Sequence, residues 1–406
     1  MRSMKRLLLS IGLAIIAGMG MGAAAEPKTA WRAGHPQASF KNGEALSAWF
    51  KERAQKLSGQ DKLRILIIGD SLSDGGYHWS HYFRRSLQAA YGDGGPGTVW
   101  ATHAGGAPGQ GFAPEWLFGP DDFVSYKGAH GAWRNSWGRR GDIWPYLGWN
   151  GSFLMTDATD AEYSLEAVGS RFAVVTSTGT FSSFNGELVE NRAAGFTATF
   201  DGRKTVVPPA EPSQPLDIGL TRFEAREGRH RLNIGGINGG SLFLHGVLVE
   251  KSSPGVVVYN ISRGGYWAHS FIWRQPGWEK ILAEINPDLT IIFLSKPESG
   301  GSVSPADPRR NVESELLVKR VTEAIPQTRL LFMINWAPRD GQSPPDAQTV
   351  MDRIAWYEAN RYPYLNLEAG LDSAAMKQLG WFNDNIHLAQ PGGQAIGEAI
   401  AKIFLP

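Results

Sequence analysis

Eleven residues constrain this chain more than any others: Leu63-Arg64-Ile65-Leu66-Ile67-Ile68-Gly69-Asp70-Ser71-Leu72-Ser73. Five of the first six are aliphatic, and three of those are isoleucine. A short apolar run that stops at Gly-Asp predicts a buried strand breaking at its carboxyl edge. In an open α/β sheet that edge is where sites form. Gly69 permits a sharp turn, Asp70 suits one, and Ser71 is left at the tip within reach of a substrate. Taken alone, the tripeptide equally fits an ordinary strand-turn carrying a surface serine.

A second block, far along the chain, gives that serine a chemical meaning. Asp384-Asn385-Ile386-His387 is followed by Leu388-Ala389-Gln390-Pro391-Gly392-Gly393. A serine needs a general base to become a nucleophile, and histidine titrates in the right range. The imidazole in turn needs a carboxylate to fix its tautomer and stabilise its charged form. The spacing of Asp384 and His387 lets one loop or turn bring both side chains to one side. Pro391 fits the first turn of a closing helix whose buried stripe is Ala395, Ile396, Ala399, Ile400 and Phe404.

These two blocks resemble the SGNH (GDSL-type) hydrolases, with the serine in an N-terminal Gly-Asp-Ser and Asp-x-x-His near the end. The α/β-hydrolase elbow Gly-x-Ser-x-Gly differs, because its last position here is Ser73. Within the superfamily the chain looks most like bacterial peptidoglycan O-acetylesterases. The stretches that carry this are Tyr91–Gly97 and Leu242–Glu250, the latter running into Pro254–Asn260. The resemblance covers roughly residues 60–406, is specific at the two catalytic blocks and looser between them. It implies an α/β fold, a three-layer sandwich around a parallel sheet. It also implies a Ser71, Asp384, His387 triad and an oxyanion hole from the N–H groups of Ser71 and Gly264. Gly264 lies in Ile261-Ser262-Arg263-Gly264-Gly265, where glycine allows a backbone N–H to approach a substrate closely.

One departure stands out. The family normally follows the strand Leu289–Leu294 with Gly-x-Asn, whose side chain donates a third hydrogen bond to the oxyanion. This chain has Ser295-Lys296-Pro297-Glu298-Ser299. Lys296 or Ser295 is a candidate donor in its place, whereas a carboxylate at Glu298 would repel an oxyanion. Losing one such donor typically costs about 10²–10³ in rate.

The chain divides into four parts. In residues 1–25, Arg2, Lys5 and Arg6 precede the apolar run Leu7–Gly22, and Ala23-Ala24-Ala25 offers a small-residue cleavage site. That is the pattern of a secretory signal peptide, which places the mature protein in the periplasm or outside the cell after cleavage near Ala25. Residues 26–99 and 254–406 alternate strands and helices, as a parallel sheet covered on both faces requires. Between them, in 100–253, helical periodicity fades. Short runs such as Arg171–Ser177, Gly195–Phe200, Thr205–Val207, Gly228–Ile234 and Leu242–Val249 predict an inserted β-sandwich. The related esterases carry a carbohydrate-binding-module-like domain at this place. Trp116, Trp133, Trp137, Trp144 and Trp149 cluster there, suited either to stacking on sugar rings or to a core. Pro208–Pro215 reads as a loop of this part.

Composition narrows the chemistry. A net charge of +1 argues against nucleic acid or an anionic membrane as partner. The absence of cysteine excludes disulfides, thiolate metal sites and a cysteine nucleophile. His78 and His81 share a helix face, but nothing in the sequence completes a metal motif around them. No metal and no cofactor is expected. The reading is therefore an exported serine esterase acting on an acetylated polysaccharide, with envelope polysaccharide-synthesis machinery as a further partner. Acetyl transfer onto an exopolysaccharide such as cellulose or alginate, or non-catalytic binding and assembly of one, remain as alternatives.

Overall fold

The structure is a computed structural model and describes residues 29–74, 79–101, 134–135, 147–181, 191–295, 311–336 and 347–406. Strands are numbered in chain order: β1 (Phe40–Lys41), β2 (Lys62–Gly69), β3 (Gly97–Trp100), β4 (Arg134–Asn135), β5 (Leu154–Thr156), β6 (Tyr163–Thr178), β7 (Thr180–Phe181), β8 (Asn191–Arg192), β9 (Gly195–Phe200), β10 (Arg203–Val207), β11 (Asp217–Asn238), β12 (Leu242–Glu250), β13 (Gly255–Asn260), β14 (Leu289–Phe293), β15 (Arg329–Ile334) and β16 (Tyr364–Asn366).

The aliphatic run before Gly69 is β2, and its unbroken apolarity has a structural reason. Leu63, Ile65 and Ile67 point into one core while Leu66 and Ile68 point into another, so neither face meets water. The strand lies inside a six-stranded sheet of order β1-β16-β15-β14-β2-β13. All its pairings are parallel except that of the two-residue edge strand β1. One face carries the helices Glu44–Gln55, Trp79–Tyr91 and Gln390–Phe404, sealed by Phe50, Phe83 and Phe404, with the Phe50 and Phe404 rings 4.8 Å apart. On the other face lie Trp278–Ile285, Val312–Ala324 and Ala347–Ala359. This is the three-layer α/β arrangement that the alternation of elements implied.

The closing helix begins with Pro391 in its first turn, as expected. Gly397 lets it seat closely on the helix after the Ser71 turn, because a Cβ there would lie 2.3 Å from the Trp79 carbonyl oxygen. Tyr91 OH donates to the Phe404 carbonyl at 2.6 Å, and Ser47 Oγ donates to that of Ile403.

Eight of the ten strands between β2 and β13 form a second, antiparallel sheet, order β10-β9-β11-β6-β12-β5-β4 with β3 also on β12, while β7 and β8 pair with each other. Its long strands double back. Phe223 and Leu232 lie about 30 Å apart along a straight strand at roughly 3.3 Å per residue. Yet Phe200, opposite Leu232 on the neighbouring strand, stacks on Phe223 at 5.0 Å. The bulge between Glu224 and Gly228 supplies the bend. The layers so formed enclose a core of Phe172, Phe196, Phe200, Phe223 and Val247. They are thus two layers of one hydrogen-bonded sheet. Trp100, Trp149, Ala173, Val175 and Leu248 of this part share a core with Tyr259, Phe271 and Trp278. The two sheets therefore pack together through apolar contact.

A polar bolt crosses the same boundary. Glu250, at the end of β12, accepts from Arg64 Nε at 2.7 Å and Nη2 at 3.1 Å, and from the Tyr259 hydroxyl.

Candidate active site

The turn that carries Ser71 is held by the side chain of Asp70. Its Oδ1 accepts the Leu72 N–H at 2.9 Å, and its backbone carbonyl accepts that of Ser73 at 3.0 Å. Its Oδ2 accepts both the N–H of Ser295, at 2.6 Å, and the Ser295 hydroxyl. Asp70 thus ties the tip of β2 to the tip of β14, its neighbour in the sheet. Burial pushes its carboxyl up, against the pull of these hydrogen bonds and of the nearby His387. Gly69 is required by close approach, since a Cβ would lie 2.7 Å from Ser262 Oγ and 2.9 Å from Ser73 Cβ. The turn leaves Ser71 partly exposed, while Leu72, Ser73 and Asp74 are buried.

The histidine arrives on the loop before the closing helix. Asp384 Oδ1 accepts the N–H groups of Ile386, at 2.8 Å, and His387, at 2.7 Å. That small turn points the other carboxylate oxygen at His387 Nδ1, 2.7 Å away. With Nδ1–H donating to a carboxylate, Nε2 is an acceptor, and it faces Ser71 Oγ at 2.8 Å. Burial raises Asp384, but the two backbone N–H groups and His387 outweigh it and hold the carboxyl below its usual range. The loop itself is pinned by Trp336 Nε1–H donating to the Ile386 carbonyl at 2.9 Å. The structure therefore brings Ser71, His387 and Asp384 into one chain of hydrogen bonds, the arrangement that activates a serine for acyl transfer.

Gly264 requires a correction. Its N–H donates to Asp74 Oδ2 at 2.8 Å, so a buried carboxyl group has taken the amide that the sequence assigned to the oxyanion. The next residue is differently placed. Gly265 is exposed and sits at φ +77°, the left-handed region that glycine tolerates. Among the described residues, the N–H groups of Gly265 and Ser71 have no hydrogen-bond partner. The turn is anchored to the nucleophile strand by the Arg263 N–H, which donates to the Gly69 carbonyl at 3.0 Å. The signal for this was present in the sequence: two glycines in succession, with an unassigned Asp74 in the serine block.

Of the candidates for a third donor, Ser295 spends both its N–H and its hydroxyl on Asp70. Lys296 and Glu298 lie outside the described residues, as do His78 and the tryptophans 116, 133, 137 and 144. Trp149 is fully buried and belongs to the core between the sheets, which removes it as a sugar-stacking surface. No cluster of metal-ligating side chains occurs among the described residues.

No known family profile matches the sequence, and no curated protein matches it. Solved structures do. A peptidoglycan O-acetylesterase superposes with a TM-score of 0.63 at 18% identity, covering 88% of this chain and 95% of that one. A family two carbohydrate esterase from Clostridium thermocellum, in complex with cellohexaose, matches at 11% identity and TM-score 0.30 over 62% of this chain and 93% of its own. A GDSL-like lipase from Parabacteroides merdae matches at 18% identity and TM-score 0.30, over 37% and 73%. The fold is the one shared with the peptidoglycan O-acetylesterase structure over 88% of this chain.

Proposed function

We propose that the chain is an exported serine esterase that removes O-acetyl groups from a cell-envelope or secreted polysaccharide, of the peptidoglycan type. The observation that carries this is the continuous hydrogen-bonded path Ser71–His387–Asp384 at the carboxyl edge of the parallel sheet. Ser71 Oγ attacks the acetyl carbonyl carbon, and its proton passes to His387 Nε2. Asp384 holds the imidazole in the accepting tautomer and stabilises the imidazolium. The open N–H groups of Ser71 and Gly265 bind the oxyanion. Collapse of the tetrahedral intermediate breaks the ester C–O bond, and His387 returns the proton to the departing sugar oxygen. Water then repeats the sequence on the acetyl-serine. The basic and apolar pattern of residues 1–25 supports export.

The test uses purified protein on p-nitrophenyl acetate, then on O-acetylated peptidoglycan beside acetylated alginate and cellulose. Wild type is expected to release acetate, with peptidoglycan preferred, and Ser71→Ala to lose turnover while unfolding at the same temperature. Retention of rate by Ser71→Ala would overturn the triad. Preference for alginate or cellulose would move the substrate, and acetyl appearing on an added glycan instead of in water would make the reaction a transfer.

A further inference from the structure

Two aspartates flank Ser71, and their surroundings differ. Both carboxylate oxygens of Asp70 receive donors, from Leu72 and from Ser295. Asp74 is also buried, but only its Oδ2 is served, by the Gly264 N–H at 2.8 Å. Among the described residues, its Oδ1 is buried with no hydrogen-bond partner. An ionised carboxylate in that position would leave one charged oxygen buried without a described protein donor. A carboxylic acid fits better: the carbonyl oxygen accepts the amide, and the bare oxygen carries the proton.

We propose that Asp74 acts as a neutral acid that positions the oxyanion turn, gripping the Gly264 N–H so that the open Gly265 amide is held beside that of Ser71. This rests on the esterase reading above. Two other ties join the same loops, Arg263 N–H to the Gly69 carbonyl at 3.0 Å and Asn260 Nδ2 to the Ser73 carbonyl at 2.6 Å. Among the described residues, the Asp74 link is the one made directly to the Gly-Gly pair.

The groups facing Asp74 are Asp70 from its own turn, Arg263 from the turn after β13, and His387 from the C-terminal loop. Asp70 favours the acid, whereas Arg263 and His387 favour the carboxylate. Burial is the largest influence and pushes Asp74 up to about 7. A serine–histidine esterase gains rate as its histidine loses a proton and then levels off. Here the rate falls again above about pH 7, because ionised Asp74 sets a negative charge against the developing oxyanion.

The experiment compares wild type, Asp74→Asn and Asp74→Ala for kcat, KM and thermal unfolding from about pH 5 to about pH 9. Asparagine keeps an acceptor for the Gly264 N–H and does not ionise. Its kcat should match wild type at low pH within about 3-fold, and its alkaline limb should be flat. Alanine removes the grip, and kcat should drop roughly 10-fold or more across the range with KM little changed, the share expected from one misplaced oxyanion donor. A wild-type-like alanine variant, or an alkaline limb that persists in asparagine, overturns the proposal.

Unfolding supplies a readout independent of turnover. A carboxyl raised from 3.8 to about 7 binds more protons folded than unfolded, so it lowers stability as pH rises through that window. The melting temperature of Asp74→Asn should therefore gain on wild type from about pH 5 to about pH 8. A constant difference overturns the neutral-acid state, even if wild type proves inactive. An inactive wild type, or an active Ser71→Ala, sinks the esterase reading instead.

Discussion

Glu250→Ala should cost this protein several kcal/mol, although Glu250 is remote from the triad. The side chain of Glu250 is 8% exposed and that of Arg64 is 21% exposed. Removing the carboxylate leaves a guanidinium without its bidentate partner, a change that typically costs about 3–5 kcal/mol. It also strands the hydroxyl of Tyr259, which is fully buried and donates to the same carboxylate; an unsatisfied buried hydroxyl adds about 1–3 kcal/mol. Because the terms overlap, about 4–6 kcal/mol is the working figure. At about 2.1 cal/mol/K per residue, the roughly 300 described residues unfold with an entropy near 0.6 kcal/mol/K. The expected loss is then about 6–10 °C, read by calorimetry or circular dichroism at neutral pH. Acid provides the internal check. Burial raises the Glu250 carboxyl, but Arg64 and Tyr259 outweigh it and hold it below its ordinary 4.5. Its contribution is fully present above about 4.5 and is lost as pH falls through the lower folded value. The gap between wild type and Glu250→Ala should accordingly close as pH falls from about 6 toward 3. Arg64→Met with Glu250→Leu should recover much of the loss, since apolar replacement of a whole buried pair is often neutral. A gap under about 2 °C at neutral pH, or one that does not change in acid, would refute the assignment of stability to this cluster.

Asp384→Asn keeps an oxygen for the Ile386 and His387 N–H groups, yet it no longer enforces the accepting tautomer at Nε2. Its kcat should fall about 10⁴-fold with the melting temperature nearly unchanged; a drop under about 10-fold would mean that Asp384 is only a turn residue. Gly69→Ala places a Cβ 2.7 Å from Ser262 Oγ, an overpacking that should cost about 1–3 kcal/mol. Its kcat should drop as well, because the strain falls on the residue two before Ser71. Unchanged unfolding and unchanged turnover together would show that the loop yields freely.

The parallel sheet was legible because its strands are buried on both faces and therefore written as aliphatic runs. Gly255–Asn260 in the sequence is β13 residue for residue, and Leu289–Leu294 exceeds β14 only by its last residue. That Ser71, Asp384 and His387 come together was legible because each stands in a short block whose residue types have few other uses together. The second sheet was read only in part. Arg171–Ser177 and Gly228–Ile234 were found, but they are fragments of the far longer β6 and β11. Their remaining segments, such as Tyr163-Ser164-Leu165-Glu166 and Arg222–Glu227, alternate or run polar because one side faces solvent. Gly264 and Gly265 could not be separated by composition. Which amide is open depends on a side chain, that of Asp74, reaching across from the turn after β2. The helix Ser373–Gln378 begins with Asp372 accepting from Ala374 and Ala375, a cap that the sequence carries but that was not read.

The seating of the last helix also has a consequence in time. Ser71 and His387 are 316 residues apart in the chain, and the loop bearing His387 leads into the closing helix, which seats on Trp79 at Gly397 and on Tyr91 at Phe404. During synthesis at roughly 5–20 residues per second, the nucleophile strand is finished tens of seconds before the base exists. On the esterase reading, Ser71 is an ordinary alcohol until the helix ending at Phe404 has left the ribosome and docked, whatever the rest of the sheet has already become. Reactivity in this architecture therefore comes late and waits on that docking.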